Sequence, residues 1–496
     1  MLTMIQSHDT KKSDSYECHT VLVNLEEEAE EKREVGIGET TVLPILIRDL
    51  EWYQAAILVA KLQFGLAVLG IPSTFHALGI VPGSLILIIL TLITTYAGVL
   101  VTQIREIHPE IHNVQDVGEL IIGKSGARVI GMIYFLFAVL VVSAGLLTTS
   151  IALNALTDHA TCTMVFVGLA ALMACLIGAP LRDLHRVSWL GWLGMACVLT
   201  SVWVLVICLA VRGHPYVEHD HYDFLAPIER PIWGNGNFAA CMVSINMQLV
   251  SVMGNVSFYS VSAEMRQPSK FTKAVVVGQT FNLVMYLTLG LVVLYIAGQY
   301  ITSPALGLAG PVVEKICFGI ALPGLLVSTI LWANVAAKYA FNRLAHVSFK
   351  VREADNLVQW CVWTTTFGSV IVLGFLFAGS IPMFDQLMGL TGASAGPLFV
   401  LIITGLTQIY ILRYTKLAKE EMSRKDQMNF WATYTVSVLF IIFGVFLTVA
   451  GIYGSIYSIN HAYNSDQIGG PFSCVDNAVL SSPAAYSSTS PKNSTF

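Results

Sequence analysis

Charge is what this sequence has least of. Only 12% of its 496 residues are Asp, Glu, Lys or Arg, about half the share usual in soluble domains. A soluble core of this size does not need so little charge. The net charge of −5 leaves no basic surface for a nucleic acid. No C-x-x-C pair occurs among the nine cysteines. Most of them lie inside apolar stretches, where Cys behaves as a small hydrophobe. No nucleotide-binding loop, H-E-x-x-H or buried carboxylate cluster appears, and the outer loops are too short for a catalytic domain. Together these absences exclude an enzyme, and no cofactor or resident metal is implied. No sustained two-residue alternation is present, which excludes a β-barrel. No secretory leader is read at the start. Residues 1–51 are polar and carry the acidic run Glu26-Glu27-Glu28-Ala29-Glu30-Glu31. Such a run buries too little apolar surface to offset ordering entropy, so a disordered cytosolic tail is expected. Lys11, Lys12 and Lys32 are read as solvated, with regulated modification as the alternative.

What is present is apolar sequence, 55% of the chain. A helix needs about 20 residues to cross about 30 Å of hydrocarbon. Eleven stretches reach that length: roughly 53–76, 80–102, 129–156, 163–180, 188–211, 238–262, 274–297, 317–340, 357–378, 382–411 and 430–456. Orientation follows from Lys and Arg. With residues 1–51 inside, the inner loops that follow hold seventeen, among them Arg105, Lys124, Arg128, Arg266, Lys270 and Lys273. The outer segments hold four: Arg212, Arg230, Lys315 and Lys492. The N-terminus is therefore expected in the cytosol, and residues 457–496 outside or in a lumen. The sequon Asn493-Ser494-Thr495 falls on that outer side. Cys162, Cys317 and Cys474 can face outward too, and pairing among them stays open. His219-Asp220-His221 is read as a solvated outer loop in preference to a metal site.

Two spans carry the marks of interruption. The first reads Gly65-Leu66-Ala67-Val68-Leu69-Gly70-Ile71-Pro72. Pro72 has no N–H and disfavours helix before it, and the glycines lower the cost of leaving the helix. The sixth carries Ser251-Val252-Met253-Gly254-Asn255-Val256-Ser257, a softer signal without proline. Unwound backbone at membrane depth is tolerated where it is buried in protein or lines a cavity. The interruptions lie five spans apart, so spans one to five and six to ten can form inverted repeats. That arrangement points to the binding site of a secondary transporter.

At these residues the chain resembles the amino acid/auxin permease family, and within it the fungal neutral amino acid permeases. The stretch from Gly65 to Pro72 is similar to the family's G-x-G-x-L-x-x-P. Ala263-Glu264-Met265-Arg266-Gln267-Pro268-Ser269-Lys270-Phe271-Thr272-Lys273-Ala274 is similar to its A-E-M-x-x-P-x-x-F-x-K-A. Ser303-Pro304-Ala305-Leu306-Gly307 and Ala336-Ala337-Lys338-Tyr339 add to the likeness, which runs from about Trp52 to Ile456. The resemblance implies an all-α membrane protein with a leucine-transporter-like 5+5 inverted repeat and an eleventh helix. The repeats would cover about 52–211 and 238–412, and the extra helix 430–456. It also implies symport of amino acids with protons. Two positions depart from the pattern: Ala67 stands where the family often has glycine, and Asn255 where many members have His.

A zwitterionic substrate needs donors for its carboxylate and acceptors for its ammonium. Gly65, Ala67, Val68, Leu69 and Gly70 would supply N–H groups at a half-helix N-terminus. Ser251 and Gly254 would supply carbonyls, with the Asn255 amide nearby. Ser143 is a lining candidate, or packs between helices through a small side chain. Lys61 sits about nine residues into the first span, so about 13 Å deep at 1.5 Å per residue. A lysine at a helix centre costs roughly 2.5–3.5 kcal/mol. It is expected to face the bundle interior, opposite Ser328 and Thr329, where a sodium ion sits in sodium-coupled relatives; snorkelling is the alternative. Proton coupling falls to Glu264, Asp385 or Lys61, unranked; Glu264 could instead pair with Arg266, Lys270 or Lys273. The reading is a secondary active transporter of amino acids, foremost neutral ones, in proton symport by alternating access. It would sit in the plasma membrane, with vacuolar or other endomembranes open. The alternatives are a carrier or exporter of an amino-acid-derived metabolite, or a nutrient-sensing permease.

Overall fold

The computed structural model describes residues 50–181, 184–214, 228–234, 236–347, 356–418, 423–464 and 470–475. The acidic run, Lys11, Lys12, Lys32, His219-Asp220-His221 and the Asn493 sequon lie outside the described residues. Among the described residues all regular structure is helical. The one β-type contact is an isolated parallel bridge between Leu50 and Met265. Nine of the described helices are long and apolar enough to cross a membrane, or ten with the bent first pair taken as one span. The chain is an integral, multi-pass membrane protein. The expected stretch 163–180 forms an apolar helix of 16 residues, Thr163–Gly178, shorter than a full span.

Local chemistry sets where the helices begin. Helix α1 (Trp52–Gln63) starts where the Gln54 side chain accepts the Glu51 N–H at 3.0 Å. A 3-10 segment, Leu66–Gly70, leads into α2 (Ile71–Leu78). Pro72 falls in the first turn of α2, where its missing N–H costs nothing. Gly79 then turns the chain at φ +86° into α3 (Ile80–Ile107). A Cβ there would also stand 2.4 Å from the Gly234 nitrogen, so only glycine fits. A short helix not expected from hydropathy, α4 (Val114–Ile122), follows. Asp116 Oδ2 accepts the N–H groups of His112 and Asn113 at its start.

The remaining helices are α5 (Lys124–Thr157), α6 (Thr163–Gly178), α7 (Leu184–Arg212), α8 (Phe238–Ser251) and α9 (Asn255–Glu264). Then come α10 (Phe271–Ala297), α11 (Pro311–Val347), α12 (Asn356–Ser380), α13 (Phe384–Pro397), α14 (Ile403–Ala418) and α15 (Arg424–Asn464). A π-turn, Leu398–Ile402, joins α13 to α14 directly after Pro397. Proline cannot donate to the residue four back, which favours the wider turn there.

Helices α1, α2, α3, α8 and α10 pack on one another, and so do α5, α6, α11 and α12. Helix α7 lies along α11, while α13 touches α8, α5 and α15. Among the nine unbent spans the α8–α9 pair is the most buried and α15 the least, and the 3-10 segment of the bent pair is buried throughout.

Beside the start of α6, Cys162 and Cys474 form a disulfide. Cys317, grouped with them in the sequence reading, is instead fully buried on α11 and reduced. The disulfide holds segment 470–475 against α6 and α12. There Phe472 donates its N–H to the Gly379 carbonyl at 2.9 Å, and Thr163 Oγ1 donates to the Val475 carbonyl at 2.7 Å.

Candidate functional site

The first interruption is a bend of 50° between α1 and the 3-10–α2 segment. Phe64 closes α1 by donating to the Ala60 carbonyl at 2.9 Å, and the Gly65 N–H turns back to the Gln63 carbonyl at 3.0 Å. Leu66, Ala67, Val68, Leu69 and Gly70 are all buried, and no side chain caps their helical turn. The first N–H groups of a helix have no partner within it, and the dipole is positive there. Leu66 and Ala67 therefore offer donors in the protein interior.

The second interruption spans Val252–Gly254, between α8 and α9. Its backbone is held by short turns, with Gly254 N–H donating to the Val252 carbonyl at 2.8 Å. Asn255 Nδ2 donates to the Phe399 carbonyl in the π-turn, while its Oδ1 is buried without a partner. The Asn255 amide thus ties α9 to the π-turn between α13 and α14.

The two interruptions touch. A Cβ on Gly254 would stand 2.2 Å from Gln63 Nε2 and 2.9 Å from the Phe258 ring. The Tyr286 hydroxyl, on α10, lies 3.0 Å from the Gln63 carbonyl and 3.0 Å from the Ser251 carbonyl, and its one proton serves both. These carbonyls are the last residues of α1 and α8. The Tyr286 ring is fully buried and stacks on Phe64, with centroids 6.1 Å apart. One turn away, Asn282 Nδ2 donates to the Ala60 carbonyl at 3.3 Å.

The other candidates fall in distinct places. Gly70 packs against Met247 of α8 and Phe384 of α13. Ser251 bonds its hydroxyl back to the Met247 carbonyl at 2.8 Å. Ser143 is buried and donates to the Val139 carbonyl at 3.1 Å, with its backbone against Gly374 of α12. Gly145, two residues on, is the α5 position that meets Leu66 of the first interruption. Ser328 lies opposite Gly65, whereas Thr329 lies opposite Gly145. Lys61 is buried and points to α7: its Nζ is 2.5 Å from where a Cβ of Gly191 would stand and 5.4 Å from the Trp192 ring centre. Asp385 accepts a short hydrogen bond from Ser303. Glu264 is exposed at the C-terminal end of α9. Arg266 pairs with Glu51 at 3.7 Å, and Lys273 sits over the Trp52 ring at 4.0 Å. Among the described residues no ion pair joins either cation to Glu264.

Gln63, Asn282 and Tyr286 are site residues that the sequence reading passed over. The signal for the last two is a polar stripe on α10: Gln279, Asn282 and Tyr286 are spaced three and four apart inside an apolar span, so they share one face.

The family described as "Transmembrane amino acid transporter protein" matches residues 48–457. A "Transmembrane transporter" of Fusarium pseudograminearum is 31% identical over 90% of this chain and 92% of its own. An "N amino acid transport system protein" of Neurospora crassa is 24% identical over 95% and 99%. Among solved structures, Mhp1 in its inward-facing conformation gives a TM-score of 0.51 at 12% identity, covering 87% of this chain and 94% of that one. Mhp1 closed on bromovinylhydantoin, described as a nucleobase-cation-symport-1 family transporter, gives 0.51 at 11%, covering 88% and 96%. The likeness to Mhp1 is one of fold, and that fold is leucine-transporter-like.

Proposed function

We propose that this chain, which belongs to the transmembrane amino acid transporter family, carries neutral amino acids across a membrane in symport with protons. The observation that carries the reading is the meeting of two interrupted helices. One presents uncapped N–H groups at Leu66 and Ala67. Beside it, α1 and α8 end in carbonyls bridged by a single hydroxyl. A carboxylate belongs on the first and an ammonium near the second. The polar groups described at the interruptions are amides, hydroxyls and backbone, which suits a neutral side chain. Alternating access follows if spans one to five and six to ten are inverted repeats, with α15 as an eleventh span and α6 as the fourth. The Neurospora relative's printed name agrees with an amino acid substrate. The outer tail and its disulfide suit the plasma membrane, whose outer face is oxidising.

Asp385 is the proton carrier in this reading. It lies within the tenth span and is held by a hydroxyl from the loop before α11. Lys61 packs against α7 at Gly191 and Trp192 instead of opposite Ser328 and Thr329, and in this reading a buried lysine near the first interruption takes the part of a sodium ion. The test is uptake of labelled neutral amino acids into proteoliposomes, with an imposed proton gradient and sodium varied. Saturable uptake that needs the gradient and ignores sodium supports the reading. No amino acid uptake by folded protein overturns it and turns attention to amino-acid-derived metabolites.

A further inference from the structure

Helix C-termini carry partial negative charge. Here two of them, α1 at Gln63 and α8 at Ser251, meet in the buried centre of the protein, and like charges converging at low dielectric need something positive between them. In broken-helix transporters such ends and unwound carbonyls coordinate the coupling cation. In this chain the position is filled by protein: the Tyr286 hydroxyl sits 3.0 Å from each carbonyl. Two further acceptors belong to the same elements. Gln63 Oε1 and Asn282 Oδ1 are buried without a partner. Asn282 lies one turn before Tyr286 on the same face of α10 and reaches α1 through Ala60. Remove the phenolic proton, and the two carbonyls lose the donor they share, with two unpartnered amide oxygens on the same helices.

We propose that Tyr286 is a built-in substitute for a monovalent cation: its hydroxyl proton occupies the junction of the two half-helices, and loss of that hydroxyl opens a sodium site there. Tyr286 is then a positioning residue that fixes the ion dependence of the carrier. It also joins the N-terminal half of the first span to the N-terminal half of the sixth, which lie on opposite sides of the interruptions. One hydroxyl thereby links the inner and outer parts of the moving bundle. The physiological meaning rests on the transporter reading; the site itself does not.

The test compares wild type, Tyr286→Phe and a variant with 4-aminophenylalanine at 286, which keeps ring and donor. The first readout is the melting temperature of purified protein in sodium, lithium or choline chloride, which needs no substrate. Sodium is expected to raise the Tm of Tyr286→Phe saturably by about 2–4 °C and to leave the other two unchanged. The second readout is uptake. Tyr286→Phe in choline is expected to fall about tenfold, equivalent to ~1.4 kcal/mol, with partial rescue by sodium. A purely structural tyrosine would lower Tm and uptake in Tyr286→Phe with no cation response, and that result overturns the proposal. Sodium-dependent stabilisation of wild type overturns it equally, and this arm stands even if the Phe variant does not fold. Failure of the amino acid reading would show differently, as absent wild-type uptake alongside an intact cation response in the Phe variant.

Discussion

Gly254 and Gln63 illustrate how narrowly the centre is built. A methyl group at 254 must displace the Gln63 amide, which already donates to the Val59 carbonyl at 3.2 Å, or the Phe258 ring. Overpacking of this kind costs about 1–3 kcal/mol. Gly254→Ala is expected to cut uptake about tenfold or more while the protein stays folded, because the strain falls on the site. Initial-rate uptake beside a melting curve checks it. Asp385→Asn preserves an acceptor for Ser303 but cannot ionise. It is expected to lose proton-driven accumulation and keep substrate exchange, read by counterflow with no gradient. Glycines and proline made the first interruption legible in the sequence, because each has a backbone consequence wherever it stands. Tyr286 was not legible in that way. An aromatic in an apolar run packs by default, and its hydroxyl gains meaning only when two distant carbonyls are brought to it by the fold.

At the scale of elements, hydropathy located the apolar middles of the helices and missed their ends. Helix α5 begins at Lys124, five residues before the expected stretch, and α11 runs on to Val347, seven beyond it. Polar residues at the ends of a span meet water and headgroups, where a helix continues without an apolar side chain to mark it. Helix α4 was missed for a related reason: at nine residues it is too short for a span and is set by capping at Asn113 and Asp116. The close fit of α13 on α8 lies outside pattern reading altogether. A Cβ on Gly392 would stand 2.1 Å from the Asn246 carbonyl oxygen, and backbone cannot swing aside. Gly392→Ala is therefore expected to lower stability by about 1–3 kcal/mol, seen as a fall in Tm, whereas Gly368→Ala, with nothing near its Cβ position, is expected to be neutral.

For the whole molecule, the count of positive residues predicts a sidedness that would put the disulfide on the oxidising face of a membrane, where a cystine persists. Which cysteines pair was not in the sequence: Cys162, Cys317 and Cys474 were equivalent there, and burial on α11 separates Cys317 from the others. Cys162→Ser is expected to lower Tm, since native disulfides contribute about 2–4 kcal/mol, and to match the effect of reductant on wild type. Equal melting of wild type with and without reductant would argue against a stabilising bond.

The same bond has a consequence for how the chain comes apart. Cys162 and Cys474 are 312 positions apart, so the polypeptide from α6 to the end of α15 is a covalent ring laced back and forth through the bilayer. A protease that cuts once anywhere inside that ring opens it without releasing a fragment. The nicked carrier would run as one species until reduced, and a helix pulled from the membrane at the C-terminal end would drag the Cys162 end of α6 with it.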